Sequence, residues 1–248
     1  MDEGTLRARL WDGFARLQLL LGGHAGRGRT LERDGLVASI VPNAPDSPTL
    51  NAAVAIEPDR AGEHVEELAL RYAQARVRRW GIWLDGRSRL AAQALAQHDM
   101  VVTTASPGMG ATLKELRTAR AAPVSADLAT VGRVNDLAYG NLDGRLERTL
   151  APLPNGVLRG YQARVDDAPA AVALALHHDE DAGISFVATI PKARRRGLAT
   201  EVMQQALTEA REHGCTTTTL QATDVGERLY GALGYRRLTL MQLWERRP

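Results

Sequence analysis

The residues that could do chemistry in this sequence gather in two short stretches of its second half. The first, FVATIPKARRRGLATEVMQQAL at 186–207, reads as a strand ending at Pro191, a tight arginine-rich turn and a helix opened by Gly197-x-Ala199. The first turn of any helix leaves backbone N–H groups unpaired at the positive end of its dipole. A pyrophosphate is the natural ligand there, provided no side chain blocks its approach. Gly197 and Ala199 supply that clearance, and Arg194, Arg195 and Arg196 add charge beside it. The plain alternative is an ordinary helix start next to a solvated arginine run. The second stretch, LQATDVGERLYGALGY at 220–235, puts Tyr230 on a short helix that begins where a strand ends. Ligands of open α/β sheets collect at the carboxyl ends of strands, where a phenol can donate a proton to a leaving group. The plain alternative for Tyr230 is a core tyrosine packed on Leu233.

Regular elements must hold these stretches in place. Apolar residues at helical spacing predict a first helix over 4–21, stopped by Gly22-Gly23. The glycine-rich run 22–30 resembles a phosphate loop in composition, but a helix precedes it and no Gly-Lys-Ser/Thr follows, so it reads as a mobile linker. Strands are expected at 36–41, 52–56, 81–84, 100–104 and 109–113, with helices at 62–79 and 88–97. After a link at 118–123, the pattern predicts a helix at 127–139, strands at 157–165, 170–177 and 184–190, and a helix at 195–213. A strand (216–222), a short helix (226–233) and a last strand (235–244) follow. The order strand, long helix, strand, short helix, strand thus occurs twice, at about 52–104 and 184–244. That repeat predicts an α/β protein of two similar domains, 1–122 and 123–248, each a twisted, mostly antiparallel sheet flanked by helices.

Composition narrows the function. With 44% hydrophobic and 24% charged residues the chain reads as globular. Its 31 basic and 29 acidic residues leave a formal charge of +2, without the one-sided excess of a nucleic-acid binder. No apolar run approaches the ~20 residues needed to cross a bilayer, so no membrane partner is expected. The start MDEGTLRARLWDG lacks a basic stretch followed by an apolar core, which predicts no secretory leader. One cysteine, Cys215, excludes an internal disulfide and points to a reducing cytoplasm. It follows Gly214 at a strand start and reads as a small buried residue. No His/Asp/Glu grouping has metal-ligand spacing, so no metal is expected.

The two stretches together resemble the acetyl-CoA motif and the following motif of the GNAT acyltransferase superfamily. Arg194, Gly197 and Ala199 match its Gln/Arg-x-x-Gly-x-Gly/Ala, preceded by Pro191. Leu229, Tyr230, Leu233, Gly234 and Tyr235 match its Leu-Tyr-x-x-Leu-Gly-Phe/Tyr. The asparagine often found at the start of the short helix is absent, its place taken by the stretch from Asp224 to Gly226. The resemblance spans about 125–247. It implies an N-acetyltransferase in which acetyl-CoA is attacked directly by the amine of a small molecule or peptide. The cofactor pyrophosphate would rest on Arg194, Arg195, Arg196, Gly197, Leu198, Ala199 and Thr200. Its pantetheine arm would pair with backbone groups of Ala188, Thr189 and Ile190, like an added strand. Tyr230 would be the general acid at the CoA sulfur.

No general base stands out. His177, His178, Asp179 and Glu180 crowd one turn, and Asp136 and Tyr139 end the helix that lines the acceptor cleft in this family. The first half fails the same comparison. Where 191–200 falls in the second copy, it has Glu57, Asp59 and Glu63, whose charge opposes a pyrophosphate, and its 89–98 segment has no tyrosine. It resembles a degenerate GNAT-like unit without cofactor chemistry. A homodimer stays open.

Overall fold

A carboxylate starts the first helix. The Asp2 side chain accepts the Thr5 N–H at 2.9 Å, and α1 (Glu3–His24) runs on from it for 22 residues, an anion stabilising the positive helix end. The structure, a computed structural model, describes residues 1–117 and 124–246. The expected link at 118–123 lies outside the described residues.

α1 does not stop at Gly22-Gly23, and most of 22–30 is not a linker. Gly22 is there because helix and sheet touch: a Cβ on it would lie 2.5 Å from the Arg29 carbonyl oxygen. Arg29–Arg33 (β1) pairs with Leu36–Ile40 (β2) in an antiparallel hairpin that turns at Gly35, φ +75°. Then come β3 (Ala52–Ala55), a 3₁₀ turn (Pro58–His64), α2 (Val65–Gln74), β4 (Gly81–Asp85), α3 (Arg89–Gln97) and β5 (Met100–Thr112). The second half supplies β6 (Ser125–Ala126), α4 (Leu128–Tyr139), α5 (Arg145–Leu150), β7 (Leu158–Val165), β8 (Ala168–His178) and β9 (Asp181–Thr189). It ends with α6 (Leu198–Glu212), β10 (Thr217–Gln221), α7 (Asp224–Leu233) and β11 (Arg236–Arg246).

Among the described residues the strands form one mixed sheet of eleven, in the order β1-β2-β3-β4-β11-β5-β10-β9-β8-β7-β6, where two separate sheets were expected. Two pairs, β3/β4 and β9/β10, are parallel; every other neighbouring pair is antiparallel. The crossing at the centre joins the halves. β11, from the second half, lies between β4 and β5, and β5, from the first half, lies between β11 and β10.

β5 is one strand of 13 residues rather than two short ones around Ser106-Pro107-Gly108. The Pro107 carbonyl accepts the Ala222 N–H at 2.8 Å, just past the end of β10, whose ladder with β5 ends at Gln221↔Gly108. A residue's nitrogen faces the same side as its carbonyl in a strand. The missing proline donor therefore points where the β10 ladder has already ended, and the strand continues.

Alternation along the strands sorts the helices onto two faces. Ala171, Ala173 and Ala175 of β8 pack with Val202, Ala206 and Ala210 of α6. Val172, Leu174 and Leu176 pack with Leu17 and Leu21 of α1 and with α4 and α5. In the first half Ile82 and Leu84 meet α2 and α3, whereas Trp83 meets Leu6 and Leu10 of α1. α1 therefore spans one face of both halves, touching Leu238, Met241 and Leu243 of β11. Each Val, Leu, Ile or Met among them, fully buried, contributes about 1.5–3 kcal/mol.

Candidate active site

The site begins where two parallel strands stop pairing. β9 and β10 are in register from Thr217↔Asp181 to Leu220↔Ile184, and beyond that they have no ladder. β9 also spends an extra residue against β8: Leu174 faces Ser185, but Val172 faces Ala188. Phe186 sits in this bulge at φ +52°. A bulge bends its strand and sharpens the local twist, turning the second half of β9 away from β10.

A cavity of about 590 Å³ fills the gap. Val187, Ala188 and Thr189 of β9 form one wall. Arg194, Arg195, Gly197, Leu198, Ala199 and Thr200 form the floor; Thr223, Val225, Gly226, Leu229 and Tyr230 form the opposite wall, and Ala138 and Tyr139 the rim. Nine of the eleven residues expected from sequence thus share one cavity. Ile190 and Arg196 do not line it. Ile190 packs partly into the two cores on either side of the sheet, and the exposed Arg196 follows the turn outward.

Gly197 is the N-cap of α6 at φ +79°, without a side chain capping the helix. That conformation favours glycine, and a Cβ there would meet nothing within 4 Å. The first N–H groups of α6 are therefore open toward the cavity floor, with the dipole's positive end behind them. Arg195 and Arg196 are exposed and have no side-chain partner among the described residues. Arg194 is different from the sequence expectation. Its guanidinium donates to the Thr189 carbonyl at 3.2 Å and the Ala138 carbonyl at 2.8 Å. It ties the end of β9 to the end of α4 rather than standing free for an anion.

Tyr230 is 6% exposed, on the wall of the cavity. Its ring meets Tyr235 edge-on at 5.9 Å. Tyr235 in turn donates to Thr218 Oγ1 at 2.9 Å, since Thr218 spends its own proton on the Ala182 carbonyl. Burial, then the nearby Tyr139, push the Tyr230 hydroxyl well above the ordinary tyrosine range. It therefore stays protonated and can donate, not abstract, a proton.

The candidate bases fall elsewhere. Asp136 is buried and accepts the Leu146 and Glu147 N–H groups at 3.0 Å each, capping α5. His177, His178, Asp179 and Glu180 lie at the opposite end of β9 from the cavity. His177 packs near His213 at 5.7 Å, and burial, then Arg159, bring it down to about 4, so it is neutral. Tyr139 reaches the rim but is 60% exposed. Burial pushes the Cys215 thiol up to about 11, as befits an inert buried residue. Among the described residues no Asp, Glu or His lines the cavity.

Sequence spacing missed one cluster because it joins distant segments. Asp12, on α1, meets His178 Nδ1 at 3.2 Å, and Asp179 lies at 3.9 Å from the same nitrogen. Their ligand atoms are close enough to share a metal ion. Arg16 already bridges both carboxylates at 2.7 Å each, which meets their charge with a guanidinium. The matching end of β3 and β4 in the first half carries Glu57 and, after it, the 3₁₀ turn with Asp59 and Glu63, where Arg60 pairs with Asp34 and Glu63. Among the cavity residues Thr223 was also missed. It caps α7 by accepting the Gly226 N–H at 3.1 Å, and the Thr-x-x-Gly run ahead of an amphipathic helix was its only trace.

Parallel strands that part around a cavity, floored by an uncapped helix start and walled by a buried tyrosine, make the candidate site on this mixed α/β sheet. Comparison with known proteins finds the same arrangement elsewhere. Residues 136–235 match the acetyltransferase (GNAT) family. No curated protein matches the chain in sequence. A GCN5-related N-acetyltransferase from Kribbella flavida superposes with a TM-score of 0.71 at 20% identity, covering 97% of this chain and 95% of that one. A GCN5-related N-acetyltransferase from Sphaerobacter thermophilus gives 0.59 at 15% identity, over 86% and 81% of the two chains. A conserved protein of unknown function from Staphylococcus epidermidis gives 0.60 at 10%, over 87% and 92%. The fold is a mixed α/β sheet of GNAT type. No helix among the described residues is long and apolar enough to cross a membrane.

Proposed function

We propose that the protein is an acetyl-CoA-dependent N-acetyltransferase, acting on the amine of a small molecule or peptide. Two GNAT-like halves share its sheet, and 123–248 holds the cofactor while 1–122 is degenerate. The observation that carries the reading is the single cavity shared by the open α6 start and Tyr230. The N–H groups of Leu198, Ala199 and Thr200 would hold the pyrophosphate, with Arg195 adding charge. The unpaired edge of β9 at Val187, Ala188 and Thr189 would receive the pantetheine amides. The amine nitrogen attacks the thioester carbon, the C–S bond breaks, and the buried Tyr230 hydroxyl gives its proton to the departing thiolate. Water takes the proton that the nitrogen loses, and solvent reprotonates the tyrosine.

Calorimetry with acetyl-CoA, joined to a thiol-release screen over a panel of amines, tests this. Binding with turnover of an amine is the expected result. Failure to bind acetyl-CoA would overturn it, and tight binding without turnover of any amine would make the protein an acyl-CoA sensor.

A further inference from the structure

A second pair of chambers lies on the other side of the same gap. The larger, about 120 Å³, runs between α1 and the parting strands and is lined by Phe14, Leu17, Leu21, Leu50, Trp83 and Phe186. Ile184, Ser185 and Gln221 line both it and a chamber of about 20 Å³ beside it. Ser185 and Phe186 directly precede Val187 on β9, and Gln221 lies two residues before Thr223. Val187 and Thr223 line the cofactor cavity. The chambers and that cavity are therefore lined by neighbouring residues of the same two strands, where β9 and β10 separate.

Two features of these chambers restrict what can enter. The walls are mostly apolar, and their polar groups, Gln18, Thr49, Ser185, Thr219 and Gln221, are uncharged. The Gln18 amide is spent on Ser39 Oγ at 2.6 Å and the Thr49 carbonyl at 3.3 Å. Ser185 and Gln221 make no side-chain hydrogen bond among the described residues, and the indole Nε1 of Trp83, 1% exposed, is buried without a partner. An orphaned buried N–H costs about 1–3 kcal/mol until something accepts from it. A void of about 150 Å³ lined by Leu, Ile and Phe takes one benzene, so about 120 Å³ suits a ring-sized apolar group.

The second restriction is the missing base. No Asp, Glu or His lines the cofactor cavity or either chamber among the described residues. An alkylamine, with a reference value near ~10.4, is almost wholly protonated at neutral pH and needs a group to take its proton before it attacks. An aromatic amine has its lone pair drawn into the ring and is already unprotonated at neutral pH.

We infer that the acyl acceptor is a neutral aromatic amine, its ring in the chamber under α1 and its nitrogen at the gap between β9 and β10. This rests on the acetyl-CoA reading above. The nitrogen bonds to the acetyl carbon of the thioester, and the C–S bond breaks with its electron pair going to sulfur. Tyr230 supplies the proton for that thiolate. The proton lost by nitrogen goes to water, because the acylated adduct is acidic enough to need no side-chain base. The products are an anilide and free CoA.

The test compares aniline with cyclohexylamine, alike in size but opposite in protonation at pH 7, using acetyl-CoA and the unaltered protein. The expected kcat/KM at pH 7 is at least about 100-fold higher for aniline and flat from pH 6 to 9, while that for cyclohexylamine climbs about tenfold per pH unit, following the free amine. Leu50→Phe, which fills the chamber, should lower kcat/KM for aniline more than tenfold and leave the acetyl-CoA Kd unchanged by calorimetry. Turnover of cyclohexylamine at pH 7 equal to that of aniline would overturn the inference while the cofactor reading stands. Absence of acetyl-CoA binding to the unaltered protein would remove both. The comparison of the two amines decides the matter even if the Leu50 variant does not fold.

Discussion

The Arg194 guanidinium, lining the cavity, donates to the Ala138 carbonyl, 2.8 Å away and 56 positions earlier in the chain. A second bond, to the Thr189 carbonyl, makes it a brace between α4 and β9. Hydrogen bonds from a charged group are worth about 1.5–3 kcal/mol. Arg194→Ala should therefore weaken acetyl-CoA binding about 10- to 100-fold, read by calorimetry, through loss of the rim rather than loss of charge. Arg194→Lys should recover little, since one ammonium cannot copy a planar fork spanning two carbonyls. The exposed Arg195 and Arg196 have no such structural duty, and alanine at either one should change the Kd less than about threefold.

Gly197 separates space from backbone conformation. At φ +79° an L side chain costs about 1–2 kcal/mol, yet its Cβ would meet no atom. Gly197→Ala should thus lower Tm by a few degrees and keep the fold. Gly197→Glu adds a carboxylate at the point where the open α6 N–H groups would meet a pyrophosphate. It should weaken acetyl-CoA binding more than about 100-fold with an unchanged circular dichroism spectrum. Equal affinity would move the pyrophosphate site elsewhere.

Both of these residues were visible in the sequence, and the contrast in how well they were read is physical. The place of Gly197 at the start of α6 follows from local geometry: a strand, a turn and a helix start lie within one short segment. Arg194 lies in the same segment, but its partner Ala138 belongs to another helix, and no spacing rule reports that. The same limit explains the sheet. Periodicity found most strands, yet pairing between β5 and β11 links residues more than a hundred apart. The bulge at Phe186 left no mark in composition. α5 is six residues long, too short for a helical period to register, and Asp136 looked like a candidate base because its capping of α5 is a tertiary fact.

Tyr230→Phe keeps the ring and its contact with Tyr235 and removes only the proton. The loss of a positioned donor typically costs about 10²–10⁴-fold in rate. kcat should fall in that range with the acetyl-CoA Kd within about twofold, measured under conditions where chemistry limits turnover. An unchanged kcat would leave Tyr230 a packing residue.

His177 should make the fold sensitive to acid. Its value falls from about 6.5 to about 4 in the folded chain, because burial and Arg159 oppose the charged ring. The unfolded chain then binds a proton that the folded chain refuses. Stability is complete above pH 6.5 and declines as pH drops from there toward 4. His177→Gln removes this group, so its Tm should fall less between pH 7 and 5 than that of the unaltered protein. Parallel Tm profiles for the two proteins would show that other groups set the acid limb.

The exchange of β5 and β11 joins the two halves in one sheet. β5 contributes the strand between β10 and β11, pairing with β10 from Thr112 to Gly108 and with β11 along nearly its whole length. A fragment of 123–248 would leave β10 and β11 with no strand between them, exposing two rows of backbone donors and acceptors. It would also strip α1 from the apolar face made by Val172, Leu174 and Leu176. Losses of that kind exceed the roughly 5–15 kcal/mol by which an ordinary domain is stable. The fragment should be insoluble or lack a cooperative thermal transition, whereas the whole chain melts in one transition. Adding a separately produced 1–122 segment should restore the transition and, with it, binding of one acetyl-CoA per assembled pair, because Glu57, Asp59 and Glu63 occupy the corresponding turn of the first half. A fragment that melts cooperatively by itself would make the exchanged strand dispensable. Two cofactor sites per assembled pair would assign the first half a chemistry that its acidic turn opposes.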